Sequence, residues 1–272
     1  VRLLLSDDEN EIRKCCSELI EANGERRRLQ DEAYAAGSGM LDDELSKGDF
    51  VIVEINDSHE GVLGIVAGKL REKINRPVVV ISRNGDTYKG TGRSIEAVNL
   101  YEMLDKYRDR FISFGGHSAA CGFTIDACSM DGLRADLNSD IEHMLDVTPE
   151  LFDEERTCDA EIEPEDVDLE LAEALQMLEP CGKGNEIPIF IIRGAEVRGW
   201  RFLKDDDKMA RFSLVTGDGR SIDSVIFRNA AAAYEAVSAG RVDIYCNIEI
   251  NIWRDVRKAQ VIAKEILPAG TM

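Results

Sequence analysis

Two runs of β-branched residues on either side of a segment of small residues constrain the fold of this chain most strongly. The runs are residues 49–56 and 77–82, and the segment between them, 61–73, has the small and apolar residues of a helix packed closely on a sheet. Runs this apolar are typical of strands buried on both faces. A strand, a helix and a second strand in this order predict an α/β domain with at least one parallel pair of strands.

Helices are predicted on both sides of this unit. Apolar residues recur at helical spacing in residues 7–36, where Asp7 or Asp8 can cap the first turn and Asn23-Gly24 could interrupt the helix. Further patterns predict a helix, a strand and a helix in turn. They lie near residues 97–109, 121–126 and 132–146.

The chain changes to an all-β pattern near residue 189. A helix at 230–237 falls between the fourth and fifth of six short strand-like runs, and this order suits a small Greek-key barrel such as an OB-fold. The runs are residues 189–192, 196–202, 210–216, 221–227, 242–249 and 260–266.

These patterns divide the 272 residues into four parts. Residues 1–45 form a helical connector, residues 46–148 an α/β domain, residues 149–188 an acidic linker with one helix near 166–178, and residues 189–272 the barrel. The predicted fold class is therefore α/β, with a mixed sheet and flanking helices, followed by a small all-β barrel.

A net charge of −20 argues at first against a nucleic-acid partner, but the acidity is concentrated. Residues 131–180 contain 18 acidic and 2 basic side chains, whereas residues 181–272 contain 12 acidic and 14 basic ones. A local groove for an anion is therefore compatible with the composition.

Seven scattered cysteines without a C-x-x-C pair indicate neither a zinc site nor a redox motif and fit a reducing cytoplasm. No apolar run approaches the ~20 residues that a membrane span needs, so no membrane partner is expected. Since the sequence starts at Val1 rather than at a methionine, we interpret it as an internal piece of a longer protein.

A run of six residues after the second strand is a candidate anion site. Two glycines would let the backbone approach a phosphate closely, and the side chains beside them can donate hydrogen bonds. An ordinary exposed turn explains the same residues, and the lysine spacing of a nucleotide-binding P-loop is missing. The run is Lys89, Gly90, Thr91, Gly92, Arg93 and Ser94.

A glycine pair followed by a histidine, Gly115-Gly116-His117, predicts a tight turn that opens a close-packed helix. Backbone N–H groups in such a turn can hold an anion, and the imidazole can contact phosphate or supply a proton near neutral pH. The alternative is a packing turn with an incidental histidine. His59, between a strand and a helix, is a possible further contact or a helix cap, and His143 is interpreted as a surface residue.

Aromatic residues among basic ones are typical of surfaces that bind single strands, because bases stack on rings while cations follow the phosphates. Phe212 and Phe227 suit the barrel core better. The candidates for a single-strand guide are Trp253, Arg254, Arg257 and Lys258.

The order of these motifs resembles the C-terminal half of the RecJ exonucleases, in the DHH phosphoesterase superfamily. The resemblance covers nearly the whole chain, and two residues depart from it: Cys121 precedes the expected glycine, and Cys181 replaces an aromatic residue in the linker. We interpret both as packing changes. The matching segments are 59–68, 76–80, 90–95, 114–120 and 178–180, with a weaker match at 253–260.

The resemblance implies that residues 46–148 are a DHH-associated domain and that the barrel guides single-stranded DNA. It implies that Arg93, Ser94 and His117 bind the substrate phosphate, together with their neighbours in the two glycine motifs. His117 is in addition a possible contributor to catalysis.

The catalytic metals of the family, Mn²⁺ or Mg²⁺, are held by aspartates and by an Asp-His-His tripeptide that this sequence does not contain. The resemblance thus implies a parent enzyme that hydrolyses single-stranded DNA from 5′ to 3′ in repair and recombination. The present chain would bind no metal and be inactive alone. Replication or repair proteins are possible partners.

Two other functions fit the same residues. One is a stand-alone module that binds single strands or partner proteins through the barrel. The other is a DHH-family phosphodiesterase for small nucleotides, against which the barrel argues.

Overall fold

The computed structural model describes residues 1–56, 58–153, 156–203 and 207–271. They form two compact units, Val1–Glu154 and Glu155–Met272. In the part of the chain so described, no helix is both long and apolar enough to cross a membrane.

The first unit has six α-helices and five strands among its described residues. They are α1 (Arg2–Leu5), α2 (Glu9–Gly39), α3 (Leu41–Leu45), β1 (Val51–Glu54), α4 (Glu60–Ile74), β2 (Val78–Asn84), β3 (Thr87–Arg93), α5 (Leu100–Asp105), β4 (Phe111–His117), β5 (Ala120–Asp126) and α6 (Met130–Val147).

The five strands form one mixed sheet in the order β1-β2-β3-β5-β4. β1 and β2 are parallel, as the sequence predicts, and the other neighbours are antiparallel. Alternate residues of β1 pack into two different cores: Val51 and Val53 face α2 and α4, while Ile52 faces α5 and α6. Helices therefore cover both sides of the first strands, which explains their continuous apolar runs.

Helix α2 runs without interruption through Asn23 and Gly24. The carboxylate of Asp8 caps it by accepting a hydrogen bond from the backbone N–H of Asn10. Only its C-terminal part contains buried residues, Gln30, Ala33 and Gly37, because α4 packs against that part.

Both glycine motifs differ from the predicted loops. Residues 89–93 lie inside β3, and Gly115-Gly116-His117 ends β4 in a hairpin with β5 rather than opening a helix. Glycines usually weaken a strand, but here they are required by packing. A Cβ atom on Gly90 would lie 2.3 Å from the ring of Phe123, and one on Gly92 would lie 2.7 Å from Leu100.

The second unit contains six strands and two α-helices in the described ranges. They are β6 (Ala160–Glu161), α7 (Leu169–Leu175), β7 (Phe190–Phe202), β8 (Ala210–Val215), β9 (Ser221–Ile226), α8 (Ala230–Ala239), β10 (Val242–Trp253) and β11 (Val256–Pro268).

Five of these strands close into a barrel in the order β7-β8-β9-β11-β10, with β10 pairing back to β7. β9 and β11 are parallel, and α8 connects β9 to β10 along the chain. This is the predicted OB-fold, confirmed by its connectivity. The two predicted runs at 189–202 are a single strand, in which Gly194 adopts a φ of 56°.

Part of the segment predicted as an acidic linker belongs to the barrel unit. β6 pairs with β7 through Ala160 and Glu161, and Val167 and Ala172 are buried in the barrel core. The helix predicted near 166–178 is α7 followed by a short 3₁₀ turn at Gln176–Leu178. The high acidity of this segment therefore does not prevent it from packing, because Ile162, Leu171 and Leu175 also lie against the barrel core.

Candidate nucleic-acid interface

Alternation along β3 separates the first glycine motif into two sets of residues. Lys89, Thr91 and Arg93 lie on the side of the sheet that carries α4, whereas Gly90 and Gly92 face the opposite core. A Cβ atom on Gly64 of α4 would lie 3.0 Å from a guanidinium nitrogen of Arg93 and 3.5 Å from Oγ1 of Thr91. The small residues of α4 thus leave room for these polar side chains.

The register of three neighbouring strands brings both glycine motifs to this side of the sheet. Arg93 of β3 is opposite Ala120 of β5, which is opposite His117 of β4. Further along the same three strands, Gly122 is opposite both Thr91 and Gly115. We call this surface the open face. Its residues are Lys89, Thr91 and Arg93 on β3, Ala120, Gly122 and Thr124 on β5, and Ser113, Gly115 and His117 on β4.

The centre of the open face is unfilled because it is built from glycines. A Cβ atom on Gly115 would have no neighbour within 4 Å among the described atoms, and one on Gly122 would meet only the carbonyl oxygen of Gly90, at 3.7 Å. Polar side chains surround this centre. Ser113 donates a hydrogen bond of 3.0 Å to Thr124 at one end, and Arg93 and His117 lie at the other.

Arg93 has no carboxylate partner among the described residues. It is half-buried, and its only hydrogen bond there is donated to the carbonyl oxygen of Gly92, at 2.9 Å. His117 is exposed, and its Nδ1 accepts a hydrogen bond of 3.3 Å from the backbone N–H of Ala119, which leaves Nε2 available. Both side chains can therefore donate to an anion placed between them.

Four other predicted phosphate contacts are used in packing. The hydroxyl of Ser94, which is 7% exposed, donates to the carbonyl oxygen of Val98 at 2.7 Å. Gly90 and Gly92 lie against the core, as described above. Gly116 has a φ of 154°, and a Cβ atom there would lie 2.3 Å from the carbonyl oxygen of Ala120. The structure therefore brings Lys89, Thr91, Arg93, Gly115 and His117 together, and not the others.

The remaining histidines have local roles. His59 caps α4: its Nδ1 accepts a hydrogen bond of 3.0 Å from the backbone N–H of Gly61. His143 is exposed on α6, which packs on the opposite side of the sheet.

Cys121 is buried next to the open face. Its thiol donates to the carbonyl oxygen of His117 at 3.5 Å, and burial raises the pKa of the thiol above its usual value. The side chain fills the core behind the hairpin, which agrees with its interpretation as a packing residue.

A second candidate surface lies on the outside of the barrel. Trp253 is opposite Val256, Asn251 opposite Lys258 and Glu249 opposite Gln260 across the β10–β11 hairpin. A groove of about 620 Å³ lies there, and we call it the barrel groove. It is lined by Leu203, Arg211, Asp223, Val225, Asn251, Trp253, Arg254, Val256, Lys258 and Gln260.

The tip of the hairpin presents an aromatic ring to solvent. Trp253 is 71% exposed, and the guanidinium carbon of Arg254 lies 5.9 Å from the centre of its ring. Arg254 and Asp255 both have positive φ, 48° and 62°, as a two-residue type I′ turn requires. Such a turn fixes the positions of Trp253 and Arg254 relative to the barrel.

The predicted single-strand guide is divided by the strand alternation. Lys258 lines the barrel groove, but Arg257 projects from the other face of β11 and forms an ion pair of 2.8 Å with Glu173. Arg211 in the groove pairs with Asp223 at 3.2 Å. Phe212 is buried as predicted, whereas Phe227 is 53% exposed, which contradicts its assignment to the core.

Several polar residues of the two surfaces were missed from the sequence. Ser113 and Thr124 on the open face, and Asn251 and Gln260 in the barrel groove, carry no motif. A period of two around Gly115 and around Trp253 is the signal that would find Ser113 and Asn251, whereas Thr124 and Gln260 lie on the paired strands and depend on the strand register.

The described residues offer no candidate metal centre. Among them, no three histidine, cysteine or carboxylate side chains come together as metal ligands would. All seven cysteines lie in the described ranges, and each is a free thiol.

Two domain families match the chain, one in each unit. The DHHA1 domain matches residues 47–143, and the RecJ OB domain matches residues 158–265. The second match begins before β6, which agrees with the packing of that strand against the barrel.

Curated relatives show the same similarity. The single-stranded-DNA-specific exonuclease RecJ of Bacillus subtilis is 28% identical over 267 residues, which cover 97% of this chain and 34% of that protein. RecJ of Thermus thermophilus is 30% identical over 195 residues, which cover 72% of this chain and 28% of that protein. The chain thus spans about a third of the length of these relatives.

Solved structures of Thermus thermophilus RecJ resemble the chain as well. The crystal structure in complex with Mg²⁺ has 25% identity and a TM-score of 0.73, covering 98% of this chain and 39% of that one. The structure in complex with Mn²⁺ has 26% identity and a TM-score of 0.71, covering 97% and 37%.

Proposed function

Because this chain carries a DHHA1 domain followed by a RecJ OB domain and is homologous to the C-terminal region of RecJ, we propose that it is the substrate-binding part of a single-strand-specific exonuclease. The proposed substrate is single-stranded DNA that is degraded from its 5′ end during repair and recombination. The open face holds the terminal phosphate, and the barrel groove holds bases further along the strand.

The observation that carries this proposal is the unpaired arginine of the open face. In a chain of net charge −20, a half-buried guanidinium without a carboxylate partner among the described residues is kept free for another anion. Arg93 can bind two phosphate oxygens at once, and Nε2 of His117 and Oγ1 of Thr91 can donate to the same group. The glycine-lined centre leaves space for the sugar beside it.

The barrel groove supplies a different kind of contact. The exposed ring of Trp253 offers a stacking surface for a base, and Lys258 and Arg254 line the same groove, where they can contact phosphates. Stacking does not depend on base identity, which suits an enzyme that degrades strands of any sequence.

Hydrolysis by the proposed parent enzyme would need Mg²⁺ or Mn²⁺. The described residues do not fit such an ion, since they provide no cluster of ligands. We therefore assign this chain binding and positioning of DNA, and we do not expect it to hydrolyse DNA alone. Its free thiols suit the reducing cytoplasm.

The two alternative functions have less support. A phosphodiesterase for small nucleotides would not need the barrel, yet the similarity to RecJ covers 97% of the chain. A stand-alone module would leave the open face without a purpose. Competition between a dinucleotide and a long single strand separates the phosphodiesterase from the proposed function. Single-strand binding that survives Arg93→Ala and His117→Ala but is lost in Trp253→Ala would favour the stand-alone module.

Fluorescence anisotropy with labelled 20-nucleotide strands tests the proposal. We expect the 272-residue chain to bind a 5′-phosphorylated single strand more tightly than a 5′-hydroxyl strand, and either more tightly than duplex DNA. The logarithm of the association constant should fall linearly with the logarithm of salt concentration, because phosphate contacts release counterions. Equal affinity for the three DNAs, or a flat salt dependence, would refute the proposal.

A further inference from the structure

A lysine and a glutamate at one end of the open face bear on which substrates the proposed phosphate site accepts. Nζ of Lys89 lies 2.8 Å from Oε1 and 3.0 Å from Oε2 of Glu60. Glu60 is the first residue of α4, and its side chain is 60% exposed. The carboxylate thus neutralises Lys89 from the solvent side of the face.

The two cations that β3 contributes to the open face differ in whether a carboxylate neutralises them. Lys89 and Arg93 are four residues apart on one strand, about 13 Å at the usual rise per residue, and Thr91 lies between them. Arg93 has no carboxylate partner among the described residues, whereas Lys89 has Glu60. One phosphate at Arg93 and His117 would therefore leave Lys89 for a second phosphate of the same strand.

The geometry points to Glu60 as a residue that limits how much this second phosphate contributes to binding affinity, an inference that rests on the proposed function. The terminal phosphate binds at Arg93 and His117, and an inner phosphate binds Lys89 by displacing Glu60. An exposed ion pair of this kind is weak, so a phosphate can replace the carboxylate. A single nucleotide does not reach Lys89 and does not compete with Glu60.

This arrangement has a consequence for successive cleavage. The terminal phosphate is held firmly by an arginine that has no carboxylate partner among the described residues, while the inner phosphate is held only lightly. After each nucleotide is removed, the strand must advance and the inner phosphate must leave Lys89. Competition from Glu60 keeps that contact reversible.

Calorimetric titration of the 272-residue chain with 5′-phosphorylated thymidine mononucleotide and trinucleotide at low salt tests the inference. We expect Glu60→Gln to tighten trinucleotide binding about fivefold, since an exposed pair contributes up to about that factor. Mononucleotide binding should stay unchanged. Lys89→Ala should weaken trinucleotide binding alone, and the double variant should behave like Lys89→Ala.

Glu142→Gln is the matched control, because Glu142 is an exposed acid on α6 on the opposite side of the sheet. If Glu60→Gln tightens both ligands equally, or tightens neither, the role of Glu60 is refuted. The proposed function fails separately if the unaltered chain binds neither ligand, or if Arg93→Ala binds both as tightly as the unaltered chain. Binding that is lost with Arg93→Ala but indifferent to Glu60 and Lys89 refutes only the inference.

Discussion

The open face and the barrel groove differ in the groups that they present. On the open face Arg93 has no carboxylate partner among the described residues, although Lys89 is paired with Glu60, and the floor is made of glycines. In the barrel groove Arg211 is paired with Asp223, and the most exposed group is the ring of Trp253. The first surface is therefore suited to a phosphate, and the second to a base.

This difference suggests a division of labour between the two units. A free cation on a rigid strand can fix the position of one anion, because the strand register sets where the guanidinium lies. An aromatic ring at a hairpin tip holds any base with similar strength. Each surface can be removed by a single substitution, so the division can be tested directly.

The largest effect is expected for Arg93→Ala. We expect it to weaken binding of a 5′-phosphorylated single strand by about 10- to 100-fold, because charge-assisted hydrogen bonds contribute about 1.5–3 kcal/mol. Arg93→Lys should retain part of the affinity, since it keeps the charge but not the two-pronged contact. Anisotropy titrations measure both, with Arg13→Ala on α2 as the control. If Arg93→Ala binds the strand with unchanged affinity, the phosphate does not bind on the open face.

A somewhat smaller effect is expected for Trp253→Ala. Loss of one stacked base costs about 1–3 kcal/mol, so binding of a 20-nucleotide strand should weaken roughly 5- to 100-fold. Binding of a 5′-phosphorylated mononucleotide should not change, and Trp253→Phe should retain most of the affinity. The melting temperature should hardly move, because the ring is largely exposed. If mononucleotide binding falls as well, the two surfaces are not separate.

Gly90→Ala and Gly115→Ala distinguish the packed side of the sheet from its open side. The first substitution places a methyl group against Phe123 and should lower the free energy of unfolding by about 1–3 kcal/mol. The second meets no neighbour within 4 Å among the described atoms and should change it by less than about 1 kcal/mol. Urea unfolding followed by circular dichroism gives both values. Equal destabilisation would mean that Gly115 is not on an open surface.

The smallest effect concerns two adjacent cations on β11. Lys258→Ala should reduce the slope of log affinity against log salt by about 0.7, the value for one contact with a single-stranded phosphate. Arg257→Ala should leave the slope unchanged, because its side chain is on the other face and paired with Glu173. The reverse result would place the strand on the α7 side of the barrel.

The order of the strands is largely predictable from the sequence. The side of the sheet on which each residue lies is predicted less well. The apolar runs of β1 and β2 and the order of the barrel strands predict the α/β unit and the OB-fold, because burial on both faces and alternating burial leave distinct patterns. The two glycine motifs were interpreted as loops, since glycine disfavours strands in general. The glycines of the first motif are required because Phe123 and Leu100 approach β3 closely, and both of these residues lie outside the motif.

The candidate site was predictable in part for the same reason. Arg93 and His117 were found from their motifs, but their alignment through Ala120 is a matter of strand register. Ser94 follows the last residue of β3, and its buried hydroxyl donates to Val98, so its place in the motif does not bring it to the open face. Arg257 and Lys258 are neighbours in β11 and face opposite sides, which a strand period of two predicts.

The position of β11 in the barrel affects how the chain can fold as it is synthesised. β11 is the last strand, yet it lies between β9 and β10 and pairs with both. Until the ribosome has released residues beyond Val256, β9 and β10 each lack one of their two partner strands, and the barrel core stays accessible to water. The five strands of the first unit are complete by Asp126, so that sheet can fold while the barrel is still being translated.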